Sequence, residues 1–502
     1  MKPIKLVVSS HNNLSFKYGK NYAGVIKQLQ LLKAADKKRS IDTRIVLLDD
    51  PASAKSAGIK AVNSITARTC KDSIDLLVKK WAPAYIMIFG AQDIIPFHEI
   101  TNPASGDDDS VVDSDLPYAC DSAYGKNISA FTGPTRVVGR LPDVPGRQDN
   151  ADYVKTLIQN IISSQPRKAD IYMDYFAVTA EVWKGSTQES VRNIFGNFKS
   201  LINCPAKPVH KPDYTSKELQ PLTHFYNCHG AKTDARFFGQ HGDDYPTAMD
   251  AGFLLKKISK GTLVAAECCY GAQLFKSNEV EPNSRSIANS YLGEGAAAFL
   301  GSSTIAYGPS DGQGLADLIT QYFIKNVLEG ASTGRAFLEA RQHFLSSCGP
   351  HLDPYELKTL AQFYLLGDPS LQPVQAAQEP PTEAPPANTI ENNRIRLVSK
   401  GISLKQSTSP AKLIKNVSSR SSKAVKDIVS HEKFDNATVK SIYEAKSKSR
   451  GLSGMEKAVS GGTARFRTFV KPSTHQTLTN IKVLVIKEND EQVLGYRVYE
   501  SR

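Results

Sequence analysis

The sequence lacks any run of about eighteen apolar residues, so it predicts no membrane-spanning helix. It also lacks an export signal, because MKPIKLVVSS holds only a very short apolar run and a signal peptide needs roughly 7–15 apolar residues. The seven cysteines are an odd number and contain no CxxC pair, which favours neither a disulfide framework nor a zinc site. These absences together predict a cytoplasmic protein with reduced thiols.

Net positive charge is confined to one segment, and the rest of the chain is close to neutral. The chain has 62 Lys and Arg against 50 Asp and Glu, but residues 393–471 alone hold 18 basic and 5 acidic residues. Clustered Lys and Arg can bind phosphates without sequence preference. Few aromatic residues are interspersed there, so no platform for stacking nucleic-acid bases is evident. The segment predicts either a solvated basic face or a site for a polyanion or a regulatory protein.

The order of apolar runs predicts an α/β fold. Short β-rich runs such as KLVVSS, TRIVLLDD, AYIMIFG and AAAFLGSS do not alternate strictly between apolar and polar residues. Helical stretches with apolar residues three and four apart separate them, a pattern typical of mainly parallel sheets covered by helices.

Breaks in this pattern divide the chain into four parts. The boundaries predict an N-terminal α/β lobe at 1–150, a second α/β lobe at 151–371, a Pro-rich linker at 372–392 and a small basic α+β module at 393–502. No internal repeat is visible.

Two stretches carry the candidate chemistry: HFYNCHG, which ends at Gly230, and GTLVAAECCYGA, which starts at Gly261. Each is a short apolar run that ends in a reactive side chain close to a glycine. The first ends in His229 and the second in Cys269, with Gly271 two residues later. Groups at the carboxyl ends of neighbouring strands converge on one crevice, where a thiol and an imidazole can form a nucleophile and its base.

Adjacent cysteines require a choice of nucleophile. Successive strand residues point to opposite faces, so Cys268 and Cys269 cannot both face the crevice. A nucleophile at the strand end with glycine two residues later fits Cys269, and the same alternation assigns Cys228, beside His229, to the core. Taken singly, a strand-end histidine or an apolar cysteine is more often part of the packing. Their occurrence together favours the catalytic interpretation.

At these residues the chain resembles the caspase-like clan CD of cysteine peptidases, in which His-Gly and Cys-x-Gly end adjacent strands. Further segments resemble the gingipain-like (C25-type) family within that clan, over about residues 1–372. Those segments are AYIMIFGAQDIIP (84–96), SDLPYA (114–119), RVVGRLP (136–142) and FYLLGDPSL (363–371).

The resemblance implies a two-lobed catalytic unit whose second lobe carries a dyad of His229 and Cys269, with Gly230 in the oxyanion hole. It implies peptide-bond hydrolysis of protein substrates by a regulated thiol endopeptidase. A carboxylate of the first lobe would orient the histidine, for which Asp115 is the candidate and Asp113 the alternative. No cofactor is required, although the family analogy allows bound calcium.

Substrate preference is open at this stage. A basic P1 side chain, the residue before the cleaved bond, needs a carboxylate in its pocket. Asp234, Asp243 and Asp244 follow His229, and the acidic loop 107–115 comes from the other lobe. These residues favour Arg or Lys at P1 over Asp.

One rival interpretation belongs to another functional class. The protease-like fold would then be an inert scaffold for a C-terminal module that binds a polyanion or another protein. The presence of both His229 and Cys269 argues against an inert scaffold.

Overall fold

A computed structural model describes residues 2–146, 151–204, 214–275, 285–376, 389–414, 422–446, 462–475, 478–490 and 492–502. Its strands, in chain order, are β1 (Ile4–Ser9), β2 (Asp42–Leu47), β3 (Tyr85–Phe89), β4 (His98–Thr101), β5 (Val111–Ser114), β6 (Val138–Leu141), β7 (Tyr175–Ala180), β8 (Leu201–Cys204), β9 (Thr223–Asn227), β10 (His229–Gly230), β11 (Arg236–Phe238), β12 (Thr247–Asp250), β13 (Leu263–Ala266), β14 (Ala298–Ser302), β15 (Tyr307–Pro309), β16 (His351–Leu352), β17 (Phe363–Gly367), β18 (Ser409–Pro410), β19 (Lys412–Leu413), β20 (Val439–Lys446), β21 (Thr463–His475), β22 (Leu478–Glu488) and β23 (Val493–Ser501).

The α-helices are α1 (His11–Tyr18), α2 (Tyr22–Lys38), α3 (Pro51–Ala57), α4 (Ala67–Trp81), α5 (Asp152–Ser163), α6 (Ala169–Tyr172), α7 (Lys184–Phe195), α8 (Ser216–Leu219), α9 (Ile287–Gly293), α10 (Leu315–Leu328), α11 (Thr333–Cys348), α12 (Pro354–Gln362), α13 (Thr389–Ser407) and α14 (Lys423–His431). No helix of the described segments is long and apolar enough to cross a membrane.

One large sheet organises the molecule. Its ten strands run in the order β2-β1-β3-β6-β17-β14-β13-β9-β7-β8. All neighbouring pairs are parallel except β14 with β17. Helices pack against the strands, for example α7 against β7 and β8, and α10 against β13. The mixed α/β fold with a mainly parallel, helix-covered sheet agrees with the prediction, and the central strands are buried throughout.

The two predicted α/β halves share this sheet. Strand β6 comes from the first half and β17 from the second, and they pair at Arg140 and Leu366. A buried lysine links the halves as well, since Lys5 on β1 pairs with Asp36 and with Asp368, which follows β17. A charge without solvent needs such partners.

The C-terminal strands form a second sheet in the order β15-β23-β22-β21-β20-β19. Its first strand, β15, belongs to the second predicted α/β half (151–371). The basic module therefore extends that half rather than standing apart from it. Of the predicted linker, Val374 is buried and pairs with Arg167, whereas residues 377–388 lie outside the described part.

Many basic side chains of this module already have carboxylate partners. Arg467 pairs with Glu488 at 2.7 Å, and Arg396 pairs with Glu339 of α11 at 2.5 Å. Arg465 lies 2.9 Å from Asp490. These pairs reduce the charge that a polyanion could meet on the described residues.

Candidate active site

Strand register places His229 and Cys269 at matching positions. Strands β9 and β13 are parallel neighbours, and their pairing ends with Tyr226 opposite Ala266. His229 and Cys269 each follow three residues beyond that last pair, at the carboxyl edge of the sheet. Neighbouring strands lie about 4.8 Å apart, so the two segments leave the sheet side by side.

Gly230 fixes how closely these segments approach. A Cβ atom built on Gly230 would lie 1.9 Å from the carbonyl oxygen of Cys269 and 3.4 Å from Cβ of Cys268. No side chain fits in that space, so glycine is required for the backbone contact. The Gly230 backbone therefore packs directly against the carbonyl group of Cys269.

The chain turns sharply after Cys269. Tyr270 has a φ of 52°, a left-handed conformation that is costly for a residue with a side chain and that concentrates at functional sites. Hydrogen bonds hold the turn: the Tyr270 amide donates to the Thr304 carbonyl, and the Tyr270 hydroxyl donates to Asp109 at 2.8 Å. The Cys269 amide, just before this turn, donates to a residue outside the ten-stranded sheet.

The Cys269 thiol is buried and protonated in this conformation. Its side chain lies 3.5 Å from the Ala306 carbonyl oxygen, which accepts its hydrogen bond. Burial raises the pKa of the thiol to about 12. Because the thiolate is the attacking species, a closed site of this kind has little reactivity.

The His229 imidazole is equally enclosed. Its Nε2 atom lies 2.7 Å from Oε1 of Gln240, and its ring packs against Trp183 and Tyr245 at centroid distances of 4.3 and 5.2 Å. Burial, with a smaller contribution from the nearby Arg502 guanidinium, lowers its pKa to about 4. At neutral pH the imidazole is therefore a neutral base.

Three buried histidines predict acid sensitivity. Burial lowers the pKa of His98 and of His224 to about 3, as it lowers that of His229 to about 4. Below the unfolded pKa of about 6.5, only the unfolded chain binds these protons, so the unfolding free energy falls as the pH falls. Each histidine contributes about 2 kcal/mol to the loss between pH 6.5 and 5.

The measurement is the thermal midpoint at pH 7, 6 and 5. His98 is the matched test residue, since neither of its ring nitrogens has a hydrogen-bond partner among the described residues. The substitution His98→Leu should flatten the pH dependence by about a third. A variant with the wild-type pH dependence would contradict the assignment.

The last residue of the sequence lies in this site. The Cys269 amide donates to the carbonyl oxygen of Arg502 at 3.0 Å, and the Arg502 amide donates to the Ala306 carbonyl at 2.9 Å. Upstream, β23 runs antiparallel to β15 with Ser501 opposite Tyr307. An extended segment therefore crosses the site with an arginine carbonyl against the cysteine amide.

The Arg502 side chain fills a pocket beside the cysteine. Its Nη2 atom lies 3.3 Å from Asp317 and 3.2 Å from the Pro309 carbonyl oxygen, and its guanidinium stands 4.6 Å over the Trp183 ring. Gly308 forms a wall, because a Cβ atom there would lie 2.0 Å from Nη2. The pocket therefore fits a flat cation.

A second carboxyl group, Glu267, lies beside Asp317. Burial, together with the neighbouring Asp317 carboxyl group, raises the pKa of Glu267 well above its usual range. Thr320 donates to Glu267, and the first-turn residue Asp317 caps α10 by accepting from the Gly314 amide at 3.2 Å. The carboxyl group that accepts from the Arg502 guanidinium is that of Asp317.

The predicted orienting carboxylate has another partner. Asp115 accepts from Arg140 through both oxygens, at 2.6 and 2.8 Å, and both residues are buried. Among the described residues, the side chain that forms a hydrogen bond with the imidazole of His229 is Gln240. The interpretation of Asp115 as its orienting group is corrected accordingly: a buried guanidinium needs a carboxylate, and Asp115 supplies it. The alternative, Asp113, pairs within the β4–β5 hairpin opposite Glu99.

The predicted acidic substrate-binding residues lie elsewhere. Asp234 pairs with Arg236 at 2.8 Å, while Asp243 and Asp244 are exposed on a turn. In the acidic loop, Asp107 and Asp109 are buried on Lys358. The carboxylate that contacts an arginine beside Cys269 is Asp317.

Sequence reasoning missed four residues around the cysteine: Trp183, Gln240, Glu267 and Asp317. Glu267 gave a signal, because it is an acid directly after an apolar strand and before the cysteines. Asp317 lies in a helix with ordinary amphipathic spacing, so only the folded chain shows its role. Among the described residues, no group of three or more His, Cys, Asp or Glu side chains could hold a metal ion.

Comparison with known proteins adds independent findings. Residues 3–374 match the model of a family described as Peptidase family C25. No curated protein matches the chain. A solved structure described as "Structure of Protease" aligns with 99% of this chain and 97% of its own, with a TM-score of 0.49 and 14% sequence identity.

Proposed function

The chain belongs to peptidase family C25 and is therefore a cysteine peptidase, and from that premise we propose that it is an endopeptidase with Cys269 as nucleophile and His229 as base. One observation carries the proposal most directly. The Cys269 amide holds an arginine carbonyl at 3.0 Å, which is the contact that a scissile carbonyl requires when negative charge develops on its oxygen.

The reaction follows from these positions. The Cys269 sulfur attacks the carbonyl carbon while His229 takes the thiol proton, and the oxygen charge faces the Cys269 amide. His229 then protonates the leaving amine, and an acyl-enzyme remains on Cys269. A water molecule, deprotonated by His229, releases the carboxylate product. Gly230 keeps its proposed place in the oxyanion hole, supported by its contact with the Cys269 backbone.

We further propose that the peptidase prefers a basic residue at P1. The pocket beside Cys269 presents one carboxylate, an aromatic face and a glycine wall, and Arg502 occupies it. A planar guanidinium stacks on aromatic rings and pairs with carboxylates in a way that a neutral side chain does not. Protein substrates would therefore be cut after arginine in preference to aspartate.

A cytoplasmic location remains part of the proposal. All seven cysteines are free thiols, and six of them are buried, the state that a reducing compartment maintains. A thiol peptidase in that compartment needs restraint, which is consistent with the closed site described above.

The test is the sequence of the products. Prolonged incubation of the wild-type protein and an Arg502→Ala variant with a proteome-derived peptide library, followed by mass spectrometry, should show new termini after Arg or Lys. A His229→Ala variant should generate none of them. Cleavage after Asp or after small apolar residues would contradict the specificity, and no cleavage by either active form would contradict the function.

A further inference from the structure

We infer that strand β23 and Arg502 form an internal pseudosubstrate that holds the peptidase closed, an inference that rests on the proposed function. The segment pairs antiparallel with β15, places an arginine carbonyl on the Cys269 amide and buries the arginine side chain beside Asp317. It belongs to the same chain, so its occupancy of the groove regulates access to Cys269.

The backbone of β23 pairs with the backbone of β15. Peptides commonly bind by adding a strand to an exposed sheet edge, and β23 does so along β15. Tyr307, Gly308 and Pro309 stand opposite Ser501, Glu500 and Tyr499, and the Ser310 amide donates to the Val498 carbonyl at 3.0 Å. A substrate that used β15 would need these same backbone groups.

Side chains of β23 and Arg502 also anchor the segment in the groove. Arg502 fills the pocket formed with Asp317. Two positions upstream, Glu500 accepts from the Trp183 indole at 3.2 Å, so Trp183 contacts both residues of the tail. One position further upstream, the Tyr499 hydroxyl donates to Asp353 at 3.0 Å. Three of the last four side chains therefore hold the segment in a fixed register.

The bound segment leaves both proposed catalytic side chains almost without exposure to solvent. With the tail in place, Cys269 is 3% exposed, His229 is 2% exposed and the Arg502 side chain is fully buried. No path remains for a second peptide to reach the cysteine amide, since Arg502 already uses it. A substrate and the tail therefore exclude each other.

The tail can nevertheless be displaced. The Nε and Nη1 atoms of Arg502 have no hydrogen-bond partner within the described part of the chain, and a buried donor left unpaired costs about 1–3 kcal/mol. The other edge of β23 pairs with β22 along Lys482–Glu488, which keeps the tail tethered near the groove. A tethered ligand acts at an effective concentration of about millimolar, so competition by free substrate is weak.

The experiment compares full-length proteins that differ at one arginine. Arg502→Ala removes the pocket anchor, and Arg497→Ala is the matched control, because that arginine lies on the same strand with its side chain 58% exposed. The readouts are kcat/KM for an arginyl fluorogenic peptide and the rate at which an arginyl chloromethyl ketone labels Cys269. Arg502→Ala should raise both at least tenfold, and Arg497→Ala should change neither.

A peptide in trans separates the tail from a general loosening of the fold. A synthetic peptide with the sequence of residues 498–502, VYESR, should inhibit Arg502→Ala competitively, and the same peptide ending in alanine should not. Inhibition by both peptides alike would overturn the inference.

Equal turnover and equal labelling of the wild-type and Arg502→Ala proteins would also overturn the inference while leaving the peptidase assignment intact. Absence of turnover and labelling in every variant would instead reject the peptidase assignment, and the pseudosubstrate with it.

Discussion

Replacing Cys269 by alanine in the Arg502→Ala protein is expected to lower kcat/KM by about 10⁴-fold or more, because the members of a catalytic unit fail together. The same change should abolish labelling by an arginyl chloromethyl ketone. Thermal midpoints should stay close to those of the parent, since alanine removes only the sulfur atom and keeps the backbone hydrogen bonds of residues 269 and 270. The measurement is steady-state hydrolysis of an arginyl peptide.

Cys268→Ala is the matched control. Cys268 is fully buried beside Cys228, and burial followed by the hydrogen bond with Cys268 raises the pKa of Cys228. Most activity should survive its replacement. An inactive Cys268→Ala variant together with an active Cys269→Ala variant would show that Cys268, and not Cys269, is the nucleophile.

The place of His229 and Cys269 at neighbouring strand ends could be predicted because it depends on local pattern. Apolar runs that end close to these residues predicted strand ends, and parallel register does bring those ends together. The choice of Cys269 over Cys268 as nucleophile stays a prediction. The signals for the strand ends are short-range and need only the periodicity of a strand.

The surroundings of the dyad could not be predicted in the same way. Asp115 looked available because it lies in a polar loop, but its true partner, Arg140, sits inside an apolar strand where a charge must find a carboxylate. The basic module looked separable because of the Pro-rich stretch. Its last strand instead completes a sheet with β15, a pairing between residues almost two hundred positions apart that no local pattern encodes.

Replacing Asp317 by asparagine is expected to remove the preference for arginine at P1. Asp317 faces the only guanidinium in the pocket of the described site, and loss of one partner of a buried charge pair costs about 2–5 kcal/mol. In the Arg502→Ala background, kcat/KM for an arginyl peptide should fall about a hundredfold. Turnover of the matched citrulline peptide, which has the same shape without the charge, should change little. Asparagine keeps an oxygen for the Gly314 amide, so α10 retains its cap.

Two controls decide between the carboxyl groups. Glu267→Gln should have a smaller effect than Asp317→Asn, because Asp317 accepts the hydrogen bond of the Arg502 guanidinium, whereas Glu267 accepts from Thr320. Asp234→Asn should leave the arginine preference intact, because Asp234 pairs with Arg236. Loss of the preference in Asp234→Asn, with Asp317→Asn unaffected, would restore the assignment made from sequence alone. The same Asp317 carboxyl group binds Arg502, so a variant that binds arginyl substrates weakly must also bind Arg502 weakly. In the Asp317→Asn protein with Arg502 present, a neutral thiol reagent should therefore label Cys269 faster than in the wild type.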